Sequence, residues 1–285
     1  MITGNTRFDK GMPYMVKNAL SIDVEDWYQG LLQMPNSDWP QQEDRISISI
    51  TKILDILAAS HVKATFFVLG YVAVKHPEIV RQIAKGGHEL ASHGYGHQLV
   101  YRQSPAQFRD DVKRSKELIE DAANLKILGY RAPFFSITKE CLWAFDILNE
   151  LGFAYDSSVF PAKNFLYGIP DAPSTPYKID KTGMLEFPLS VLKIANFRLP
   201  VCGGFYFRSL PYSVTKCGIN YFNNRGKPAI IYMHPWEIDT GKPRIPMGLK
   251  WKLVHEYNIS GMEAKFRRLV KDFLFTTISE VLFGR

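Results

Sequence analysis

The chain has 285 residues, 46% of them hydrophobic and 22% charged, enough to bury one large core. No apolar run approaches the ~18 residues of a membrane-spanning helix, and the three cysteines, Cys141, Cys202 and Cys217, form no Cys-x-x-Cys pair, which argues against a disulfide scaffold or a zinc ribbon. The net charge of +7 is scattered, with no dense Lys/Arg run, and nothing in the chain reads as a nucleic-acid motif.

Residues 1–17 read as an N-terminal extension without an apolar stretch. The expectation is therefore no signal peptide and a cytoplasmic or membrane-peripheral location. Asn18 to Val24 reads as a buried strand ending among three carboxylates, Asp23, Glu25 and Asp26. Ile50, Ile53, Leu54 and Leu57 recur at helical spacing. Ala64 to Leu69 is a short apolar strand stopped by Gly70. Pro77 opens a helix that Gly86-Gly87 closes. Glu89 to Ser92 is a strand that delivers His93. Ser104-Pro-Ala-Gln107 has the form of a capping box, with Phe108, Val112 and Ile119 as the buried stripe of its helix. Leu125 to Tyr130 predicts a strand, Thr138 to Leu151 a helix stopped by Gly152, and Phe153 to Asp156 a further strand. From about 160 to 228, frequent prolines and Gly203-Gly204 predict loops and short strands, an insertion over one side of the domain. Ala229 to Met233 is a strand that delivers His234, and about 262–275 is a basic amphipathic helix. That helix packs on the body of the domain or touches a membrane surface, the first reading being favoured.

Repeated strand–helix units predict an α/β fold with a parallel sheet, open or closed. Asp23, His93, Arg131, Asp156 and His234 all fall at or just past the C-terminal ends of predicted strands, the edge where such sheets build sites. His93 and His97 lie four apart on a turn, and a carboxylate would complete a two-His-one-carboxylate metal site with open positions.

Five ordered motifs now carry a resemblance: Asp23-Val-Glu-Asp26, Ser92-His-Gly-Tyr-Gly-His97, Arg131-Ala-Pro-Phe134, Tyr155-Asp-Ser-Ser158 and Met233-His-Pro-Trp236. Over about residues 18–240 the chain resembles NodB-like polysaccharide deacetylases, carbohydrate esterase family 4, in the branch of exopolysaccharide loci, peptidoglycan deacetylases and allantoinase-like members. The resemblance implies a distorted (β/α) barrel with a loop and short-strand insertion, forming a single domain over 18–285. It implies metal-dependent N-deacetylation of N-acetylhexosamine units in a bacterial surface glycan or exopolysaccharide precursor. By the match, His93 and His97 hold one divalent transition metal, zinc first, with cobalt, nickel, manganese and iron also suited. Asp23 is the implied general base and His234 the implied general acid. Arg131 positions Asp23, and Asp156 in turn orients Arg131. A backbone N–H near Phe134 is the implied oxyanion donor, and Phe134 and Trp236 are substrate-side residues.

The first motif departs from the usual adjacent aspartates, so the third metal ligand is Glu25 or Asp26. Strand alternation and the spacing in some members favour Glu25; residue type favours Asp26, which is preferred. The implied partner is an N-acetylated glycan or a lipid-linked glycan precursor, with peripheral membrane association open and no nucleic acid. The competing readings are a cyclic amide or ureido hydrolase of the allantoinase-like kind and an inactive, carbohydrate-binding relative.

Overall fold

The computed structural model describes residues 16–164, 166–194, 197–201 and 203–284; residues 1–15 of the expected extension, and Cys202, lie outside the described residues. In chain order the elements are β1 (Asn18–Val24), α1 (Ile46–Ala59), β2 (Thr65–Val68), α2 (Gly70–Lys75), α3 (Pro77–Lys85), β3 (Glu89–Ser92) and α4 (Pro105–Ala123). Then come β4 (Gly129–Tyr130), α5 (Trp143–Glu150), β5 (Tyr155–Asp156), β6 (Tyr177–Lys178), β7 (Leu185–Glu186), β8 (Val191–Ile194) and β9 (Phe197–Pro200). The chain ends with α6 (Gly204–Ser209), α7 (Tyr212–Asn223), β10 (Ile230–Met233), α8 (Leu249–Glu256), α9 (Ile259–Asp272), β11 (Phe275–Thr276) and α10 (Ile278–Phe283).

One sheet runs in the order β10-β1-β2-β3-β4-β5-β7-β6, with β11 also paired to β1. Its ladders are parallel apart from the edge pair β6–β7, and β8–β9 is a separate antiparallel hairpin. Alternation along the strands sorts the side chains. Leu20, Ile22, Val24, Phe66 and Val68 face the helices, whereas Ala19, Phe67, Ala91, Tyr155, Phe187, Ile230 and Tyr232 cluster on the other face. That second cluster joins residues from opposite ends of the sheet, so the sheet is curled around it. Among the described residues no ladder joins β6 to β10, and the expected barrel is a curled half-barrel.

Local chemistry explains the helices that frame it. At α4, Ser104 Oγ accepts from Gln107 N at 3.3 Å and Gln107 Oε1 accepts from Ser104 N at 2.8 Å. Phe108, Val112 and Ile119 are fully buried below that cap, each contributing about 1.5–3 kcal/mol of hydrophobic stabilisation. The expected Leu125–Tyr130 strand shrinks to Gly129–Tyr130, because Leu125 and Leu128 point to solvent. The expected Thr138–Leu151 helix starts only at Trp143, since residues 138–141 close a turn through Cys141 N to Thr138 O. The 160–228 region holds two helices as well as short strands. Beyond Pro211 no proline interrupts Tyr212–Asn223, and Tyr212, Thr215, Ile219 and Phe222 bury one stripe. The expected C-terminal helix is α9, whose Met262, Phe266, Leu269 and Val270 pack into the core.

Register positions the site. Val24, Val68, Ser92, Tyr130, Asp156 and Glu186 form one continuous row across six strands. The next residue on each strand emerges at the same edge, and on four of the six it is polar: Glu25, His93, Arg131 and Ser157. On the other flank Ile22 pairs with Met233, which brings Asp23 beside His234.

Candidate active site

His93 leaves β3 with its backbone N donating to Val68 O at 2.8 Å, and its Nδ1 lies 2.8 Å from Arg131 O. A carbonyl only accepts, so Nδ1 carries the proton and Nε2 keeps its lone pair. Burial pushes the imidazole down to about 4, which keeps it neutral. His97 sits at φ 52 on a loop whose Tyr95 and Gly96 N–H groups donate to Asp111 at 2.8 and 3.2 Å. Its Nε2 lies 2.7 Å from Glu25 Oε2, an oxygen that meets no hydrogen-bond geometry with a described group although Glu25 is only 2% exposed.

Glu25, His93 and His97 place ligand atoms within 4.8 Å of one another. An unsatisfied buried carboxylate oxygen crowding an imidazole nitrogen is what a cation would relieve, and one carboxylate with two imidazoles suits a divalent transition metal. Burial works against the Glu25 charge, but His97, His234 and His93 outweigh it and hold the carboxyl well below its usual range. Asp26, the preferred third ligand from sequence, is turned away. It accepts from the backbone N–H of Trp27 (2.7 Å), Arg45 (2.7 Å) and Ile46 (3.0 Å), tying the start of α1 to the end of β1.

Beside the cluster, Asp23 Oδ1 accepts from Arg131 Nη1 at 2.6 Å, and both side chains are buried. Arg131 lies 4.1 Å from the Phe67 ring centroid and also donates to Ser21 Oγ, Ser157 O and Ser157 Oγ at 2.9, 3.1 and 2.9 Å. The groups that hydrogen-bond and orient Arg131 are thus Ser21 and Ser157. Asp156 reaches Arg131 only through charge. Its oxygens accept from Ser158 N and Ser158 Oγ at 2.9 and 2.7 Å, and it faces Glu186 across the β5–β7 register. Burial and the Asp156 carboxylate push Glu186 well above the usual range, so Glu186 holds a proton for the pair.

At the end of β10, His234 Nδ1 lies 3.1 Å from Glu237 Oε2, and its Nε2 points toward Glu25 Oε1 at 3.6 Å. Glu237 accepts from Arg208 Nη1 at 2.7 Å, with both groups fully buried, and Arg208 is anchored on the carbonyls of Tyr257 and Val254. Burial would lower His234, yet Glu25, Glu237 and Asp23 raise it to about 9. Sequence reasoning missed Glu237 and Arg208. Glu237 had a signal, an acid three residues after His234. Arg208 offered no local signal for this ion pair, because its partner is 29 residues away. It lies near the Gly203-Gly204 turn, where the Tyr232 ring leaves no room for a Cβ on either glycine.

The remaining expected residues line one cavity of about 280 Å³. Phe134 has φ 53, its ring is 4.6 Å from His97, and its N–H donates to no group among the described residues. Trp236 stacks on His234 with centroids 5.3 Å apart and donates to Glu25 Oε1 at 3.3 Å. Tyr167, Tyr206, Trp251 and His255 complete the largely aromatic walls, and His255 was not singled out from sequence.

Residues 43–155 match the family model described as polysaccharide deacetylase. Residues 157–283 match a second model, described as a domain of unknown function, DUF3473. Over 94 residues the chain is 36% identical to a peptidoglycan-N-acetylglucosamine deacetylase of Bacillus cereus, covering 33% of this chain and 34% of that protein. Over 91 residues it is 34% identical to a chitooligosaccharide deacetylase of Bradyrhizobium, covering 32% of this chain and 42% of the other. The matched stretch thus spans well under half the length of these relatives. A crystal structure from Mycobacterium smegmatis, described provisionally as a polysaccharide deacetylase, superposes with a TM-score of 0.65 at 20% identity, over 95% of this chain and 91% of that one. That likeness shows the fold across nearly the whole described chain.

Proposed function

We propose that the chain is a metal-dependent hydrolase that removes the acetyl group from N-acetylhexosamine units of a glycan, a bacterial surface polysaccharide or its lipid-linked precursor. The observation that carries this reading is the arrangement of three groups at one sheet edge. The Glu25–His93–His97 cluster shares one cavity with the arginine-held carboxylate of Asp23 and the glutamate-held imidazole of His234. A divalent transition metal held by that cluster, zinc first among the suited ions, supplies the Lewis acid that polarises an amide carbonyl and eases deprotonation of water. Asp23, fixed by Arg131, accepts a proton from the attacking water. His234, its Nδ1 engaged by Glu237, directs Nε2–H at the departing sugar amine. The Phe134 N–H shares the negative charge that develops on the carbonyl oxygen, and the aromatic walls take the sugar ring. Named relatives act on peptidoglycan and on chitooligosaccharides, which supports an N-acetylglucosamine-type substrate.

The test is acetate release from N-acetylglucosamine oligomers by purified protein, before and after chelation and with zinc, cobalt or manganese restored. Metal-independent turnover, or ring-opening of a cyclic amide with no acetate release, would overturn the reading.

A further inference from the structure

Among the described residues, exposed apolar side chains gather at the rim of the cavity. Leu249, Leu253 and Tyr257 are 85%, 52% and 49% exposed, and their spacing of four places them on one face of α8 and its C-cap. The opposite side of the same helix lines the cavity through Trp251, Val254 and His255. Along the chain from 242 to 257 lie Lys242, Arg244, Lys250 and Lys252 against a single acid, Glu256, with Lys242 over the Trp236 ring, Lys250 at the cavity and Asp38 on the neighbouring wall. Arg244 and Lys252 are exposed and enter no ion pair among the described residues. A protruding apolar ridge within a cationic surround is the combination an anionic bilayer surface rewards, through apolar insertion together with attraction to headgroups. α9, the helix whose sequence is the more amphipathic, is unavailable for this because its apolar face is in the core. No helix among the described residues is long and apolar enough to cross a membrane.

We propose that α8 seats the protein on an anionic membrane surface, so that the cavity mouth faces the bilayer. Leu249 and Leu253 enter the headgroup layer, and Arg244 and Lys252 pair with anionic lipid. This places the site where a lipid-carried glycan could reach it, a consequence that rests on the deacetylase reading; the membrane seat itself does not.

The experiment is co-sedimentation of the full chain with vesicles of phosphatidylcholine alone or with about 30% phosphatidylglycerol, at low salt and at about 0.5 M salt, where headgroup attraction is screened. Partition at least ~10-fold stronger on the anionic vesicles and weakened by salt is expected. The Leu249→Ser/Leu253→Ser and Arg244→Gln/Lys252→Gln variants should each lose most of it while keeping acetate release from soluble oligomers. Equal partition of parent and variants overturns the proposal. So does a parent dimer that the leucine variants dissociate, which would make a second copy the cover of this face. If anionic vesicles bind as expected but no substrate is deacetylated, the enzymatic reading fails and the membrane seat stands.

Discussion

The third metal ligand gives the sharpest test, because two adjacent acids exchange roles between sequence and structure. Glu25→Gln replaces the charged oxygen that lies 2.7 Å from His97 Nε2 with a neutral amide. Removing an anionic ligand should cost more than the ~10–100-fold typical of an outer partner, so metal affinity should fall at least ~100-fold, about 3 kcal/mol. Asp26→Asn perturbs a different thing. An amide keeps one acceptor and turns its NH2 toward a backbone donor, giving up at least one charged hydrogen bond of about 1.5–3 kcal/mol and weakening the others. Burial has already pushed the Asp26 carboxyl up to about 6, so the charge that the amide removes was costly to bury and part of the loss is offset. The expected net destabilisation is about 1–2 kcal/mol, a few degrees of melting temperature, with metal affinity within ~3-fold of the parent. Isothermal titration with zinc or cobalt, beside thermal melts of both variants, reads the two effects separately. Stoichiometric metal in Glu25→Gln together with its loss in Asp26→Asn would refute the reasoning.

Three further outcomes follow from specific contacts. A Cβ at Gly30 would sit 2.8 Å from Glu25 Oε1, so Gly30→Ala should weaken metal binding ~10-fold while costing about 1 kcal/mol or less of stability; unchanged affinity by titration would count against Glu25 as ligand. Glu237→Gln should lower kcat ~100-fold with metal content intact, and stranding the Arg208 charge should cost about 3–5 kcal/mol. Adding Arg208→Met should recover stability but not turnover, which a purely structural role would not predict. His88 is packed on Phe66, and burial, aided by Lys63, lowers it to about 4. The unfolded chain protonates it near 6.5, so its contribution is whole above that value and is lost as pH falls toward 4. The loss is at most about 3 kcal/mol, since 2.5 units at 1.36 kcal/mol each is an upper bound for a partly accessible ring. Urea unfolding of parent and His88→Asn across that window should show the parent's decline and a flatter variant; parallel curves would refute it.

Much of this site was legible because strand ends are legible. The apolar runs before His93 and His234 stop where polar residues begin, and the parallel register converts those stops into one edge. Ser104 and Gln107 announced α4 because a cap is a local bond. What could not be read depends on contacts between distant segments. Asp26 is fixed by Arg45 and Ile46, about twenty residues on, so its type suggested a ligand while its hydrogen bonds made it a helix-start brace. Asp156 was expected on Arg131 but meets Glu186, because only the β5–β7 register sets those two carboxyl groups side by side. Leu125–Tyr130 had strand composition, but its first four residues enter no ladder, and Leu125 N and Ile127 N turn back to Glu120 instead.

The division of the chain between two family models does not divide the site. Residues 43–155 contain His93, His97 and Arg131, whereas 157–283, described only as of unknown function, contain His234, Glu237 and Arg208. Asp23 and Glu25 precede both. The β1–β10 ladder joins these parts: Ile22 pairs with Met233, so the step beyond it sets Asp23 against His234. Glu25 is held from the second region as well, by Trp236 Nε1 at 3.3 Å. The Glu25–His93–His97 cluster thus assembles from the ends of β1 and β3, but the Trp236 contact on its carboxylate, the neighbouring His234 imidazole and most of the aromatic wall come from the region after 156. On this geometry the second region supplies half of the candidate site, and its α6 and α8 line the cavity that the proposed substrate would enter.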